Sequence, residues 1–518
     1  MAPRERVPHP PAMRRRRAVR ALLLAAGVAV LLPLALLAFV ATFDWNRAKP
    51  WLVARAGEAT GRAIAVDGDL EVAWRWRRGD GEGAAWSPGL HVRASGVRIA
   101  NADWARSPSA ATFDRLDADL SAWPLLWHRI DLARIEVEGP RIDVERRADG
   151  SDNWTLEHGG DAGSWSVAVG DVVLGAGEID IRDARRKLDL HATIEPLAAP
   201  IAFGERVAGD DPSTRRDVIG FVGKAAAQRL REAAREREQR RAERGTSVKP
   251  PPYRFAFTAK GTLAGMDLAA RGRFGGVLAL RRPEPFPLRA DFDVGSTQIA
   301  LTGTITDPAS PDAVDMRLWI SGRNLAHLYD ILGIALPKSP PYATVGRLAG
   351  RFDPSRTVLR YEDFTARVGG SDLSGTLTYR SGEPRPTLSG EVDSTLLRLR
   401  DLGAVVGAGS AEERAARGDR IAQPAGRVLP AAPFDVERWR AADADVHFTG
   451  KRVIRNEDQP ITGVETRIRM QDGTLALEPL RFGMAGGRVD GLVRIDSGPS
   501  PAKGAVKLSA RKLALARL

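Results

Sequence analysis

The 518-residue chain carries 77 Lys plus Arg against 65 Asp plus Glu, a net charge of +12, with seven His and no Cys. The missing cysteine excludes disulfides, thiolate nucleophiles and Cys-based metal sites. The excess charge sits in two places, +6 in residues 1–20 and +5 in residues 211–249, leaving about +1 elsewhere, which argues against a nucleic-acid groove in the body of the chain.

A basic tail, residues 1–18, precedes an apolar segment over 19–43. Its stretch 21–43 holds no charged residue, and at about 1.5 Å per residue a helix of that length covers the roughly 30 Å hydrocarbon core of a bilayer. The run is longer than a secretory signal and ends without an Ala-x-Ala cleavage pattern, so it predicts an uncleaved transmembrane helix. Arg14, Arg15, Arg16, Arg17 and Arg20 come before it and Asp44 after it. The positive-inside rule then leaves the N-terminus cytoplasmic and the bulk of the chain beyond the inner membrane.

Residues 45–61 read as a short helix with Trp45 and Trp51 near the interface and Gly61 as its C′ residue. From there the text is β, in regions spanning 44–210, 250–403 and 431–518. Apolar residues recur at every second position, as in Leu90 and Val92, Ile135 and Val137, Leu278 and Leu280, and Val464 to Met470, the mark of strands with one dry and one wet face. Gly303, Gly375, Gly390 and Gly491 each open such a stretch, and a repeated strand-turn-strand unit is the signature of a quasi-one-dimensional stack.

Two segments interrupt the strands. Residues 211–249 form a charged helical insertion over 211–245, with Asp211-Pro212 as N-cap and N1 and Gly245 at its end. It reads either as a solvated helix or as one that meets a partner or headgroups. Residues 404–430, rich in Ala, Gly and charge, read as a flexible loop.

No catalytic or metal-binding constellation emerges. His9, His91, His128, His158, His191, His327 and His447 are scattered, and neither HExxH nor GxSxG is present. Gly220 to Ala225 lacks the rest of a phosphate-binding loop. The strand carboxylates alternate with apolar residues, as a wet sheet face requires. The expectation is a chain that is not an enzyme and uses no cofactor.

Several segments carry a resemblance. They are residues 44–72 with Thr60-Gly61-Arg62 and Asp67-Gly68, residues 97–104 with Ala100-Asn101, and residues 120–156 with Pro124-Leu125-Leu126 and Asp149-Gly150 through Asn153-Trp154. Residues 386–407, 429–450 and 471–496 extend it. Together they resemble the AsmA family of Gram-negative envelope proteins, with 211–245 and 404–430 as insertions and the end at RKLALARL suggesting a truncated or short version.

The resemblance implies a bridge-like lipid transfer protein: an elongated, highly curved β-sheet folded as a taco around an apolar groove, with phospholipid as cargo and outer-membrane homeostasis as the purpose. Representative groove residues are Ile299, Leu301, Val464, Ile468, Met470, Leu475 and Leu477, although the parity that faces inward is not readable from sequence. Three rivals stay open: a closed core with no groove, a scaffold or chaperone for outer-membrane or envelope protein partners, and an envelope enzyme.

Overall fold

The computed structural model describes residues 31, 35, 37–78, 86–127, 129–155, 166–205, 210–243, 250–276, 285–306, 313–328, 331, 339–351, 357–382, 384–398, 401, 440, 442–454, 461–498 and 503–514. The loop expected at 404–430, the strand expected around Leu278 and the basic tail lie outside these residues, as does most of the expected membrane helix. Among the described residues no helix is long and apolar enough to cross a membrane. The molecule is mainly β, a long open mixed sheet with few helices. It divides into two compact units, one of residues 1–144 and 152–177, the other of residues 145–151 and 178–518.

In the first unit a 3-10 turn, Trp45–Arg47, is capped by Asp44, which accepts the Asn46 N–H at 3.2 Å. Helix α1 (Lys49–Thr60) follows and stops at Gly61, whose φ of 67° is the left-handed C-terminal conformation. Trp45 and Leu52 pack on Leu70, Ala94 and Val97. The strands are β1 (Ile64–Val66), β2 (Leu70–Arg78), β3 (Trp86–Ala100), β4 (Ser109–Ser121), β5 (Arg129–Glu138), the start of β6 (Arg141–Arg146) and β7 (Ser166–Leu174). The long β3 pairs with β1 and β2 on one side and with β4 on the other; β5 runs antiparallel to β4 and parallel to β7.

The second unit holds β8 (Gly177–Asp183), β9 (Leu188–Ile201), helices α2 (Arg216–Val222) and α3 (Lys224–Glu243), then β10 (Tyr253–Leu263), β11 (Met266–Phe274), β12 (Pro285–Val294), β13 (Thr297–Thr306), β14 (Ala313–Gly322), β15 (Tyr342–Arg351), β16 (Val358–Val368), β17 (Ser371–Arg380) and β18 (Thr387–Arg398). It ends with β19 (Asp443–Ile454), β20 (Ile461–Gln471), β21 (Thr474–Met484), β22 (Gly487–Asp496) and β23 (Lys503–Arg511). Strands β9 to β18 form an antiparallel meander, β18 and β19 pair in parallel, and β19 to β23 resume the meander. Tight hairpins account for the meander. Ala264-Gly265, Asp472-Gly473 and Ala485-Gly486 all have positive φ, the two-residue geometry whose twist matches that of the flanking strands.

The insertion is two helices rather than one. Asp211 caps a 3-10 turn at Pro212–Thr214, and Gly223, with φ 81°, separates α2 from α3.

Candidate functional site

Cross-strand partners in a sheet point to the same side, so pairing register sorts side chains without further assumption. In the second unit Ala192 in β9 pairs with Ala259, Ala259 with Ala270, Ala270 with Phe292, Phe292 with Ile299 and Ile299 with Ile320. Beyond β14 the row continues through Thr344, Ala366 and Leu373. Gly375, two residues on, pairs with Val392, Val392 with Phe448 and Phe448 with Thr466. Ile468 pairs with Leu477, Leu477 with Val493 and Val493 with Val506. One largely apolar face, mostly aliphatic, therefore runs from β9 to β23, with Thr344 and Thr466 as its polar members.

All seven residues expected to line a groove stand on that face. Ile468 and Leu477, and Met470 and Leu475, are direct cross-strand neighbours, while Ile299 and Leu301 lie opposite Ile320 and Leu318 in β14. Each of the seven is partly exposed. Ile299 belongs to a cluster around Ile320, Tyr342 and Val368, and Val464 and Ile468 to one around Phe448 and Val453; Leu373 borders both. The first is partly capped by the 3-10 turn Leu325–Leu328. The second, like the cluster of Ala192, Ala259 and Ala270, is built from strand residues alone.

The glycines that open the sequence repeat fall on the same face. A Cβ on Gly375 would stand 2.0 Å from the Glu391 carbonyl oxygen, and one on Gly390 would stand 2.1 Å from that of Thr376. Both positions have φ near 150°, outside the range an L side chain tolerates. Glycine in a strand marks a tight bend or a close backbone approach, which is what its recurrence here signals.

The opposite face is charged. Arg347 bridges Asp315 at 2.9 Å and Glu362 at 2.8 Å, and Arg467 meets Asp445 at 2.6 Å. Helices α2 and α3 cover one apolar patch on this side: Val218, Ala227 and Leu230 pack on Ala300, Trp319, Ala343 and Val345. Arg215 pairs with Asp291 of β12 at 2.9 Å and Arg237 donates to the Thr365 hydroxyl of β16, fastening the insertion to the sheet, while Arg231 and Asp211 pair within the insertion at 2.7 Å. Sequence periodicity missed this docking because the stripe is short and flanked by Arg and Glu. The signal available was Val218, Ala227, Leu230 and Ala234 recurring amid charge.

The first unit shows the same division, with a denser polar side. There Arg75, His91, Asp117, Asp119, Arg134 and Glu136 line a cavity of about 280 Å³. His91 places Nδ1 2.8 Å from Asp119 and Nε2 3.2 Å from Asp117. Arg93 and Arg115 reach Asp117 at 2.8 and 2.9 Å, and Arg75 reaches Asp119 at 3.0 Å. His91, one of the histidines scattered in sequence, thus sits between two aspartates of the neighbouring strand. Burial pushes both aspartates up, but Arg93 and Arg115 on Asp117, and His91 and Arg75 on Asp119, outweigh it and hold both below the usual carboxylate range.

A group lowered on folding contributes stability above its unfolded pKa, about 4 for Asp, and that contribution is lost as pH falls through the folded value. The melting temperature of the first unit should therefore fall steeply only below about pH 4. Asp117→Asn should flatten that limb. A pH-independent melt in this range would show that the network contributes nothing.

The family-like residues in this unit form a bracket. Buried Asn153 donates to Asn101 Oδ1 at 3.0 Å and to the Asp143 carbonyl at 2.9 Å, and Arg62 donates to the Asn153 carbonyl at 2.7 Å. These side chains tie the segment after α1 to the end of β3 and to β6.

The AsmA family model matches residues 13–518. The AsmA family protein YhjG of Escherichia coli (strain K12) is 33% identical over 509 residues, covering 95% of this chain and 70% of the relative. The chain belongs to the AsmA family. No solved structure matches it. In this AsmA-family chain the polar side is largely paired, strand to strand and strand to helix, while the apolar side stays partly exposed.

Proposed function

We propose that this AsmA-family protein is a non-enzymatic carrier of phospholipid, anchored in the inner membrane through residues 19–43, with its β portion periplasmic and its glycine-bent strands forming a taco-like groove that supports outer-membrane composition. The observation that carries this reading is the register-locked aliphatic face, partly exposed at Ile299, Leu301, Val464, Ile468, Met470, Leu475 and Leu477. An acyl chain gains about 0.8 kcal/mol for each CH₂ withdrawn from water, so free diffusion of a two-chain lipid through water is prohibitive. A continuous aliphatic face removes most of that barrier.

The apolar stripe of α2 and α3 packs on Trp319 and Val345, so a scaffold would have to meet its clients through edge strands or the charged side of the helices.

A photoreactive phenylalanine analogue at Ile468, illuminated in cells, should yield phospholipid adducts detectable by mass spectrometry. The same group at Arg467, on the charged face, should yield few. Adducts only to proteins at Ile468 would favour the scaffold, and equal lipid labelling from both faces would reject a sided groove.

A further inference from the structure

Of the five exposed tryptophans among the described residues of the first unit, Trp51 and Trp154 stand elsewhere and three share one end. Trp76 is 56% exposed, Trp123 57% and Trp127 71%. The backbone brings them together: Trp76 pairs with Pro88 at the end of β2, and the Pro88 carbonyl accepts the Ala122 N–H at 3.2 Å, immediately before the 3-10 turn Trp123–Trp127. Arg77 and Arg78 end β2, and exposed Arg129 begins β5. Residues 73–78, 86–93 and 121–127 contain no Asp or Glu, and the nearby Asp119 is already paired with Arg75 and His91.

Exposed indoles without an apolar core to fill are costly in water but suit the headgroup layer of a bilayer, where the ring is half dehydrated and its N–H remains solvated. The neighbouring exposed arginine adds attraction for anionic lipid. At the other end of β2 the aromatics Phe39, Phe43 and Trp45 cluster, and Asn46 accepts the Leu70 N–H at 3.0 Å. Leu70 and Trp76 are six strand residues apart, about 20 Å at the usual rise.

We propose that Trp76, Trp123 and Trp127, with Arg129, form a second membrane-contact surface, seated in the headgroup layer of an anionic bilayer. A single flexible attachment lets a sheet swivel; two contacts separated along one strand hold β2 along the membrane and direct the succession of strands away from it. This surface is independent of lipid carriage and fails or stands separately.

The test uses the full chain incorporated into phosphatidylcholine–phosphatidylglycerol vesicles whose lipids are brominated near the headgroup, with tryptophan emission as readout. The Trp76→Ala, Trp123→Ala, Trp127→Ala triple variant should lose roughly half of the lipid-quenchable emission, since these would be most of the interfacial indoles, and the loss should shrink on phosphatidylcholine alone. Equal quenching of variant and wild type would overturn the proposal. So would acrylamide access to these indoles in vesicles, or their shielding from both quenchers, which would point to a protein partner. Should the triple variant misfold, Trp127→Ala alone, in the turn outside the strands, reads the same effect at smaller size.

Discussion

Aspartate at both Ile468 and Leu477 should stop phospholipid passage while leaving the protein folded. The two residues are cross-strand neighbours on the aliphatic face and partly exposed, so the carboxylates can stay hydrated in the empty protein. Strands β19 to β22 keep their pairing, because backbone hydrogen bonds are untouched. An acyl chain sliding past meets two charges instead of hydrocarbon, at a cost of about 3 kcal/mol each by membrane-insertion scales. That combined barrier slows passage roughly ten-thousand-fold. Arg469→Gln, one residue from Ile468 and on the charged side, should leave transfer between donor and acceptor vesicles unchanged. Undiminished transfer by the folded double variant would sink the groove reading.

Leu230→Ala should release the helical insertion from the sheet. Leu230 is 2% exposed and packs with Val218 and Ala227 on Trp319 and Val345. Truncating a buried leucine typically costs about 3 kcal/mol, the lost burial plus the cavity left behind. Amide exchange across residues 216–243 should accelerate roughly a hundredfold if that cost falls on local opening, with β20 to β22 unchanged. Arg240→Ala, on the exposed side of α3, is the control and should leave exchange alone. If Leu230→Ala leaves exchange unaltered, the helices are held by their ion pairs rather than by packing. Deleting 211–245 outright should be worse than loosening it, because Ala300, Trp319, Ala343 and Val345 would then face water together.

The strands were legible because period-two alternation is a local property, and residues such as Val464, Ile468 and Met470 state it without help from the rest of the chain. Which parity is shared was not legible. That needs the register of each pair, including shifts such as those at Val345/Arg347, Tyr361/Phe364 and Leu477/Leu480, where one strand gains residues relative to its neighbour and local twist increases. The glycine repeat was visible in sequence, but its meaning is a distance to a carbonyl on another strand. His91, Asp117 and Asp119 lie on adjacent strands and become a network only once β3 and β4 are in register. The insertion read correctly as helical, yet its division at Gly223 and its seat on the charged side follow from tertiary packing, which overrides what a charged helix suggests by itself.

The run of the apolar face from strand to strand bears on direction. The strands from β9 to β23 offer mostly apolar rows, with Thr344 and Thr466 and the larger Phe292 and Phe448 among them, spaced about 4.8 Å apart. Under the proposed lipid carriage, a hydrocarbon tail moving across them meets a fixed potential that does no net work in either direction. Such a track sets speed but stores no arrow, so net flow along it must be imposed at its ends, by a difference in chemical potential between donor and acceptor bilayers or by whatever extracts lipid at the exit.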